Sequence, residues 1–165
     1  MHDQMLMTLH IRFSRSHGAH PALDGAAASC CLRTTTTTIN MSLTIQSQNK
    51  VFEGVLTKYS FRSKVLGGLE AKMNVFLPES ANAGHKVPVL YFLSGLTCTE
   101  DNAAQKGHFF EAAAKEQLAI VFPDTSPRGA NIPGEEDSWD FGTGAGFYVN
   151  ATKEPWNKYY NMYDH

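Results

Sequence analysis

The stretch Pro88-Val-Leu-Tyr-Phe-Leu93 is a continuous apolar run, and a second such run, Leu118-Ala-Ile-Val-Phe122, follows it along the chain. Runs of this kind are typical of strands covered on both faces, as in a mostly parallel sheet. Between them, Asp101 is a candidate N-cap for a helix that extends to about Gln117. The predicted buried positions of this helix are Phe109, Ala112 and Ala113. A strand, a helix and a strand in this order form a βαβ unit, so the sequence predicts an α/β fold with a mixed, mostly parallel sheet and the first run as a central strand.

Two further strands are predicted upstream of these runs. Val51 to Tyr59 mixes β-branched and aromatic residues, and Ala71 to Leu77 alternates between two kinds of side chain. Its two faces are Met73, Val75 and Leu77 on one side and Lys72, Asn74 and Phe76 on the other. Gly67 and Gly68 mark the turn between the strands. The short connection predicts an antiparallel pair at one edge of the sheet, with one face in water.

The composition excludes several classes of function. With 165 residues, 42% hydrophobic and 18% charged, the chain has the size and balance of one globular domain. A formal net charge of −2 argues against binding to nucleic acid or to an anionic membrane, which need a concentrated basic face. No apolar stretch reaches the roughly 20 residues that cross a bilayer. The cysteines, Cys30, Cys31 and Cys98, favour free thiols in a reducing compartment.

Residues 1–40 differ in composition from residues 41–165, which we assign to the globular domain. They are rich in Ser, Thr and Ala and poor in acids, contain Arg12, Arg15 and Arg33, and include the homopolymer Thr34 to Thr38. Such a segment is typical of an organelle transit peptide or of an untranslated stretch read as protein. We favour the second interpretation, with Met41 as the natural start and a cytoplasmic location for the protein.

Two motifs suggest cofactors, and neither has the context that its chemistry requires. His17 and His20 form an H-x-x-H pair without further metal ligands nearby. Gly142-Thr-Gly-Ala-Gly146 resembles a dinucleotide fingerprint, but it follows no predicted strand and opens no helix. The sequence therefore predicts neither a metal nor another cofactor.

Three segments carry a specific resemblance: Leu93-Ser-Gly-Leu-Thr-Cys-Thr99, Pro123-Asp-Thr-Ser-Pro-Arg-Gly129 and Ser138-Trp-Asp-Phe-Gly-Thr-Gly-Ala-Gly-Phe-Tyr148. In this order they resemble the S-formylglutathione hydrolase (esterase D) family. The resemblance implies an α/β-hydrolase fold and the hydrolysis of a small-molecule substrate, the glutathione thioester S-formylglutathione, to glutathione and formate in formaldehyde removal. It also implies cleavage of simple esters and a homodimer.

The resemblance implies roles for particular residues. The loop Ser94 to Thr97 would supply half of an oxyanion hole, with the backbone N–H of Leu96 as donor and Gly95 allowing the backbone to turn. A glycine that only makes a strand-to-helix turn is the alternative. The equivalent of Cys98 borders the active site in the family, and a buried cysteine acting as a small apolar side chain is the other interpretation. The implied pocket-bordering residues are Thr97, Cys98, Trp139, Asp140 and Phe141.

The nucleophile of such an enzyme lies in a Gly-x-Ser-x-Gly elbow, and none occurs in these residues. Ser94 is followed by glycine rather than framed by it, so we reject it as the nucleophile. The family's Asp and His follow the serine in chain order, so Asp124, Asp140, His108 and His165 are not triad members; Asp124 is expected to cap its turn or pair with Arg128. We predict an N-terminal part of the hydrolase domain that is inactive alone, or alternatively a truncated, non-catalytic isoform that associates with the full-length enzyme.

Overall fold

The computed structural model describes residues 42–165, so the predictions on residues 1–40 and on Met41 lie outside the described residues. The strands are β1 (Thr44–Val51), β2 (Gly54–Arg62), β3 (Glu70–Pro78), β4 (Val89–Tyr91) and β5 (Ala119–Pro123). The helices are α1 (Glu79–Asn82), α2 (Glu100–Lys106) and α3 (Phe110–Lys115), and a 3₁₀ turn spans Trp156–Lys158. In this part of the chain no helix is long and apolar enough to span a membrane.

The first three strands form an antiparallel meander. β2 pairs with β3 from Gly54 opposite Pro78 to Arg62 opposite Glu70, which confirms the predicted antiparallel pair. The pair does not form the edge of the sheet as predicted, because an additional strand, β1, pairs with β2 on its outer side. Gly67 and Gly68 both have positive φ in the turn between β2 and β3. A Cβ on Gly67 would lie 2.8 Å from the ring of Tyr159, so this position needs glycine for space as well as for backbone conformation.

The buried face of β3 is the one that carries Asn74 and Phe76. Both are nearly inaccessible, whereas Met73 and Val75 are only partly covered. Asn74 tolerates this position because its amide donates to the Glu100 carbonyl at 2.9 Å and to the Asp101 carboxylate at 2.8 Å. The polar Asn74 can therefore be buried on this strand, because residues of α2 accept its hydrogen bonds.

The sheet is mostly antiparallel, which corrects the prediction of a mostly parallel one. Its order is β1-β2-β3-β5-β4, and only the β4–β5 pair is parallel. β5 lies between β3 and β4 because it pairs antiparallel with the last strand of the meander. The prediction of a central strand from Pro88 to Leu93 is also wrong. The strand observed there, β4, is three residues long, lies at the edge of the sheet, and is about half exposed at Leu90 (45%).

The predicted single helix is divided into two. α2 begins at Glu100 after the N-cap Thr99, whose side chain accepts from the Asp101 N–H, while the Asn102 side chain accepts from the Thr99 N–H. Asp101 is therefore a first-turn residue and not the cap. Gly107 ends α2, and the left-handed His108 redirects the chain before α3 starts. The buried stripe of α3 consequently falls on Phe110, Ala113 and Ala114, and the predicted Ala112 is exposed.

One hydrophobic core lies between the sheet and helices α2 and α3. Its fully buried aromatic residues are Phe76 of β3 and Phe122 of β5, each 0% exposed. The ring of Phe110 on α3 lies 5.1 Å from that of Phe76. The small residues of the helices allow this close approach; they are Ala103, Ala104, Ala113 and Ala114. The core thus anchors β5 and α2, the two elements next to the loops of the candidate site.

Candidate active site

The loop that follows β4 ends in a tight turn, Gly95–Cys98. The Cys98 N–H donates to the Gly95 carbonyl at 3.2 Å, and Thr97, third in the turn, has a left-handed backbone with φ of 64°. A Cβ on Gly95 would meet open space, and its φ is not left-handed, so the turn does not depend on glycine there. Among the described residues, the N–H of Leu96 has no acceptor. Leu96, 39% exposed, therefore offers a backbone donor at the tip of the turn.

The glycine-rich loop of the third motif packs directly on this turn. The Thr97 N–H donates to the Gly144 carbonyl at 2.9 Å, and the Gly144 N–H donates to Ser126 Oγ at 2.9 Å. Gly144 has a φ of 86°, and a Cβ there would lie 3.1 Å from the Thr97 Cα. Glycine at this position permits both the backbone conformation and the contact. The three sequence motifs thus meet through Thr97, Ser126 and Gly144.

Ser94 joins the same three segments through its backbone. Its carbonyl accepts from Thr125 Oγ1 at 3.3 Å and from the Tyr148 hydroxyl. Its own hydroxyl is buried, and within residues 42–165 it has no hydrogen-bond partner. A serine nucleophile needs a base in contact with its hydroxyl, and this hydroxyl has none.

The ion pair of Asp124 and Arg128 braces the loop after β5. Both guanidinium donors Nε and Nη2 point at the Asp124 carboxylate, and Nη2 also donates to the Cys98 carbonyl at 3.0 Å. The hydrogen bonds that the Arg128 guanidinium donates to Asp124 raise its pKa above the ordinary value. Asp124 also accepts from the Ser126 N–H, so it both caps its turn and pairs with Arg128.

An apolar cavity of about 340 Å³ lies beside the glycine-rich loop. Its wall includes Phe141 and Trp156, whose rings are 4.9 Å apart in an edge-to-face arrangement. Tyr160 closes one side and donates to the buried carboxylate of Glu135 at 2.6 Å. Burial and the hydrogen bond to this carboxylate raise the pKa of Tyr160 above its ordinary value.

The structure brings together some of the predicted site residues and leaves others apart. Leu96, Thr97 and Cys98 share one turn, and Phe141 lines the cavity. Trp139 is 72% exposed, and Asp140 accepts from the hydroxyl of its neighbour Ser138. Sequence reasoning missed three hydroxyl groups at this site: those of Thr125 and Tyr148, which donate to the Ser94 carbonyl, and that of Ser126, which accepts from the Gly144 N–H. The one sequence signal for these residues was that they belong to the three motifs. Their hydrogen bonds could not be predicted from local sequence, because the partners lie up to 54 residues away.

The chain belongs to the Esterase family, whose model matches residues 63–164. It is a homologue of S-formylglutathione hydrolases, being 51% identical over 125 residues to that of Mus musculus, which covers 76% of this chain and 44% of the relative. For the enzyme of Arabidopsis thaliana the identity is 50% over 116 residues, covering 70% and 40%. A solved S-formylglutathione hydrolase from Agrobacterium tumefaciens superposes with a TM-score of 0.69 at 43% identity, covering 73% of this chain and 43% of the other.

The chain therefore spans less than half the length of the curated relatives that it matches. The predicted resemblance to S-formylglutathione hydrolases is confirmed by these matches. This chain is a relative of the α/β-hydrolases. Its described sheet combines a parallel pair, β4–β5, with an antiparallel meander.

Proposed function

We propose that residues 42–165 are the N-terminal part of a serine thioesterase that hydrolyses S-formylglutathione to glutathione and formate, and that they supply one half of its oxyanion hole. The observation that carries this proposal is the backbone N–H of Leu96, which has no acceptor among the described residues and lies in the Gly95–Cys98 turn, where the Leu96 residue is 39% exposed. The sequence identity of about 50% to S-formylglutathione hydrolases supports the choice of substrate.

In this mechanism a serine attacks the formyl carbonyl, and negative charge develops on the carbonyl oxygen. Two backbone N–H groups stabilise that charge: that of Leu96 and that of the residue after the nucleophile. Collapse of the tetrahedral intermediate breaks the C–S bond and expels glutathione, whose sulfur takes up the proton that the general base removed from the serine, and a formyl-enzyme remains. Water then attacks the formyl-enzyme, which releases formate and restores the serine. The turn at Leu96 is held by its contacts with Gly144 and Arg128, so the donor is oriented before the substrate arrives.

These residues do not include a nucleophile. No Gly-x-Ser-x-Gly sequence occurs among them, and Ser94, the serine nearest to the turn, is buried without a base. We propose that the serine, acid and histidine belong to polypeptide outside these 165 residues, in a cytoplasmic enzyme that forms a homodimer. Catalysis then requires that further polypeptide.

The test compares the purified 165-residue chain with a version extended by the downstream sequence of its own gene. We expect thioester hydrolysis only from the extended protein, measured by the loss of S-formylglutathione absorbance. Clear turnover by the short chain would refute the assignment of the nucleophile to another segment. If the short chain is inactive but copurifies with the extended protein, the role of a non-catalytic partner is favoured.

The donor itself is tested in the extended protein by Leu96→Pro, with Leu96→Ala as the matched control. Proline is favoured at the second position of a turn, so it removes the N–H while the turn is kept. We expect a loss of kcat of roughly 100-fold to 1,000-fold for Leu96→Pro, the usual effect of removing one oxyanion donor. Leu96→Ala retains the N–H and should stay within a few-fold of the original. Equal losses in the two variants would contradict the role of the backbone donor.

A further inference from the structure

The Gly95–Cys98 turn is attached to the rest of the domain on two sides. On one side the Thr97 N–H donates to Gly144, and on the other the Cys98 carbonyl accepts from Arg128 Nη2 at 3.0 Å. Among the described residues, Arg128 is the charged side chain that forms a hydrogen bond with this turn. Charge-assisted hydrogen bonds are stronger than neutral ones and define direction more sharply.

Arg128 is itself held in place. Its guanidinium forms a two-point contact with the Asp124 carboxylate, and the side chain of Asp124 is only 7% exposed. The Asp124 N–H donates to the Lys72 carbonyl of β3 at 2.9 Å, which joins this residue to the sheet. A continuous chain of contacts therefore runs from β3 through Asp124 and Arg128 to the Cys98 carbonyl.

We propose that Arg128 is a positioning residue, which holds the Gly95–Cys98 turn so that the Leu96 N–H faces the developing oxyanion. This role rests on the function proposed above. Arg128 acts on the turn through the Cys98 carbonyl, because its Nε and Nη2 donors are bound by Asp124 and Cys98. Nη1 has no partner among the described residues, so direct binding of substrate is the alternative that the kinetic experiment below separates from positioning. Lysine cannot replace it, because a single ammonium group lacks the planar fork that reaches both acceptors.

The first experiment measures amide hydrogen exchange in the 165-residue chain by NMR. In Arg128→Ala we expect exchange of the Thr97 amide to be roughly 10-fold faster or more, in line with the loss of a charged hydrogen bond. Arg128→Lys should show a similar change while retaining the fold. The reference is the Ala119 amide, which donates to the Pro88 carbonyl at 3.0 Å, and the control variant is Lys115→Ala, at an exposed position of α3.

The results separate a local role from a general one. Faster exchange at Thr97 with unchanged exchange at Ala119 supports the proposal. Unchanged exchange at Thr97 overturns it, and so does an equal acceleration at both amides, because Arg128 would then stabilise the whole domain and not the turn.

The second experiment measures thioester hydrolysis by the extended protein. We expect Arg128→Lys to lower kcat roughly 10-fold or more while KM stays within about twofold. The substitution displaces the Leu96 N–H donor and leaves the binding of the substrate unchanged. A raised KM with unchanged kcat would mean that the guanidinium binds substrate, and would overturn the positioning role. If the unmodified extended protein does not hydrolyse the thioester, the proposed function fails, and the exchange measurement still decides whether Arg128 holds the turn.

Discussion

Replacing Phe122 by alanine is expected to lower the free energy of unfolding by about 4 kcal/mol, because buried apolar contacts are lost and the surrounding side chains fill the resulting cavity only in part. Phe122 is 0% exposed on β5, between β3 and β4. Three aromatic rings surround it at centroid distances of 6.0 to 6.1 Å, and they belong to Phe92, Phe109 and Phe110. Urea unfolding followed by far-UV circular dichroism measures the change.

Phe52→Ala is the matched control for this substitution. Phe52 lies in the turn between β1 and β2 and is 59% exposed, so the same chemical change removes little buried area there. We expect a loss below about 1 kcal/mol at this site. Losses that agree within about 1 kcal/mol at the two positions would show that Phe122 is not at the centre of the core.

The second large effect is expected at Lys58, whose ammonium group lies 2.8 Å from Glu100 and 2.6 Å from Asp101. The Glu100 side chain is 5% exposed, so Lys58→Met leaves a buried carboxylate without its ion-pair partner. Breaking a buried pair from one side destabilises proteins by about 3 to 5 kcal/mol. We expect about 3 kcal/mol, because Lys58 itself is a quarter exposed. The measurement is again urea unfolding, near pH 7.

Two controls distinguish burial from charge loss. Lys115→Met removes a cation from an exposed pair with Glu111 and should leave the free energy of unfolding nearly unchanged, because water screens both charges. Adding Glu100→Gln to Lys58→Met removes the stranded charge and should recover at least about 1 kcal/mol. If the double variant is no more stable than Lys58→Met, the buried carboxylate is not the cause of the loss.

The same cluster gives stability a dependence on acid. Burial opposes ionisation of Asp101, but hydrogen bonds from Lys58 and Asn74 outweigh it and lower its pKa below the ordinary 3.8. A carboxylate with a lowered pKa contributes stability above its unfolded pKa and loses it as the pH falls through the folded value. The stability difference between the original chain and Lys58→Met should therefore narrow as the pH falls below about 4.

Local patterns predicted the elements better than their arrangement. The β2–β3 pair and the parallel β4–β5 pair are confirmed, because alternation, apolar runs and turn glycines are visible in short windows. The antiparallel pairing of Met73 with Pro123 has no local signal, so the sheet was predicted to be mostly parallel. The helix break was within reach of the sequence, since Gly107 is a typical helix-ending residue.

At the candidate site, the resemblance selected the loops and the structure supplied their contacts. The sequence indicated that Leu96 and Gly144 belong to functional segments, but not that the Thr97 N–H joins them. Glycine chemistry suggested Gly95 as the residue that permits the turn, whereas the left-handed residue is Thr97. A backbone conformation that a neighbouring loop imposes cannot be predicted from residue preference alone.

The meander and the site differ in the length of chain that their contacts must close. Val51 pairs with Gly54 across a two-residue turn, whereas the contact of Ser94 with Tyr148 closes 54 residues of chain. Closure of longer loops costs more chain entropy before any contact compensates for it, so we expect β1 to β3 to assemble first and the loops of the site last. Val55→Ala should then slow refolding, and Tyr148→Phe should mainly speed unfolding, in stopped-flow measurements. The surface proposed for chemistry is thus the last part of this chain to acquire its shape.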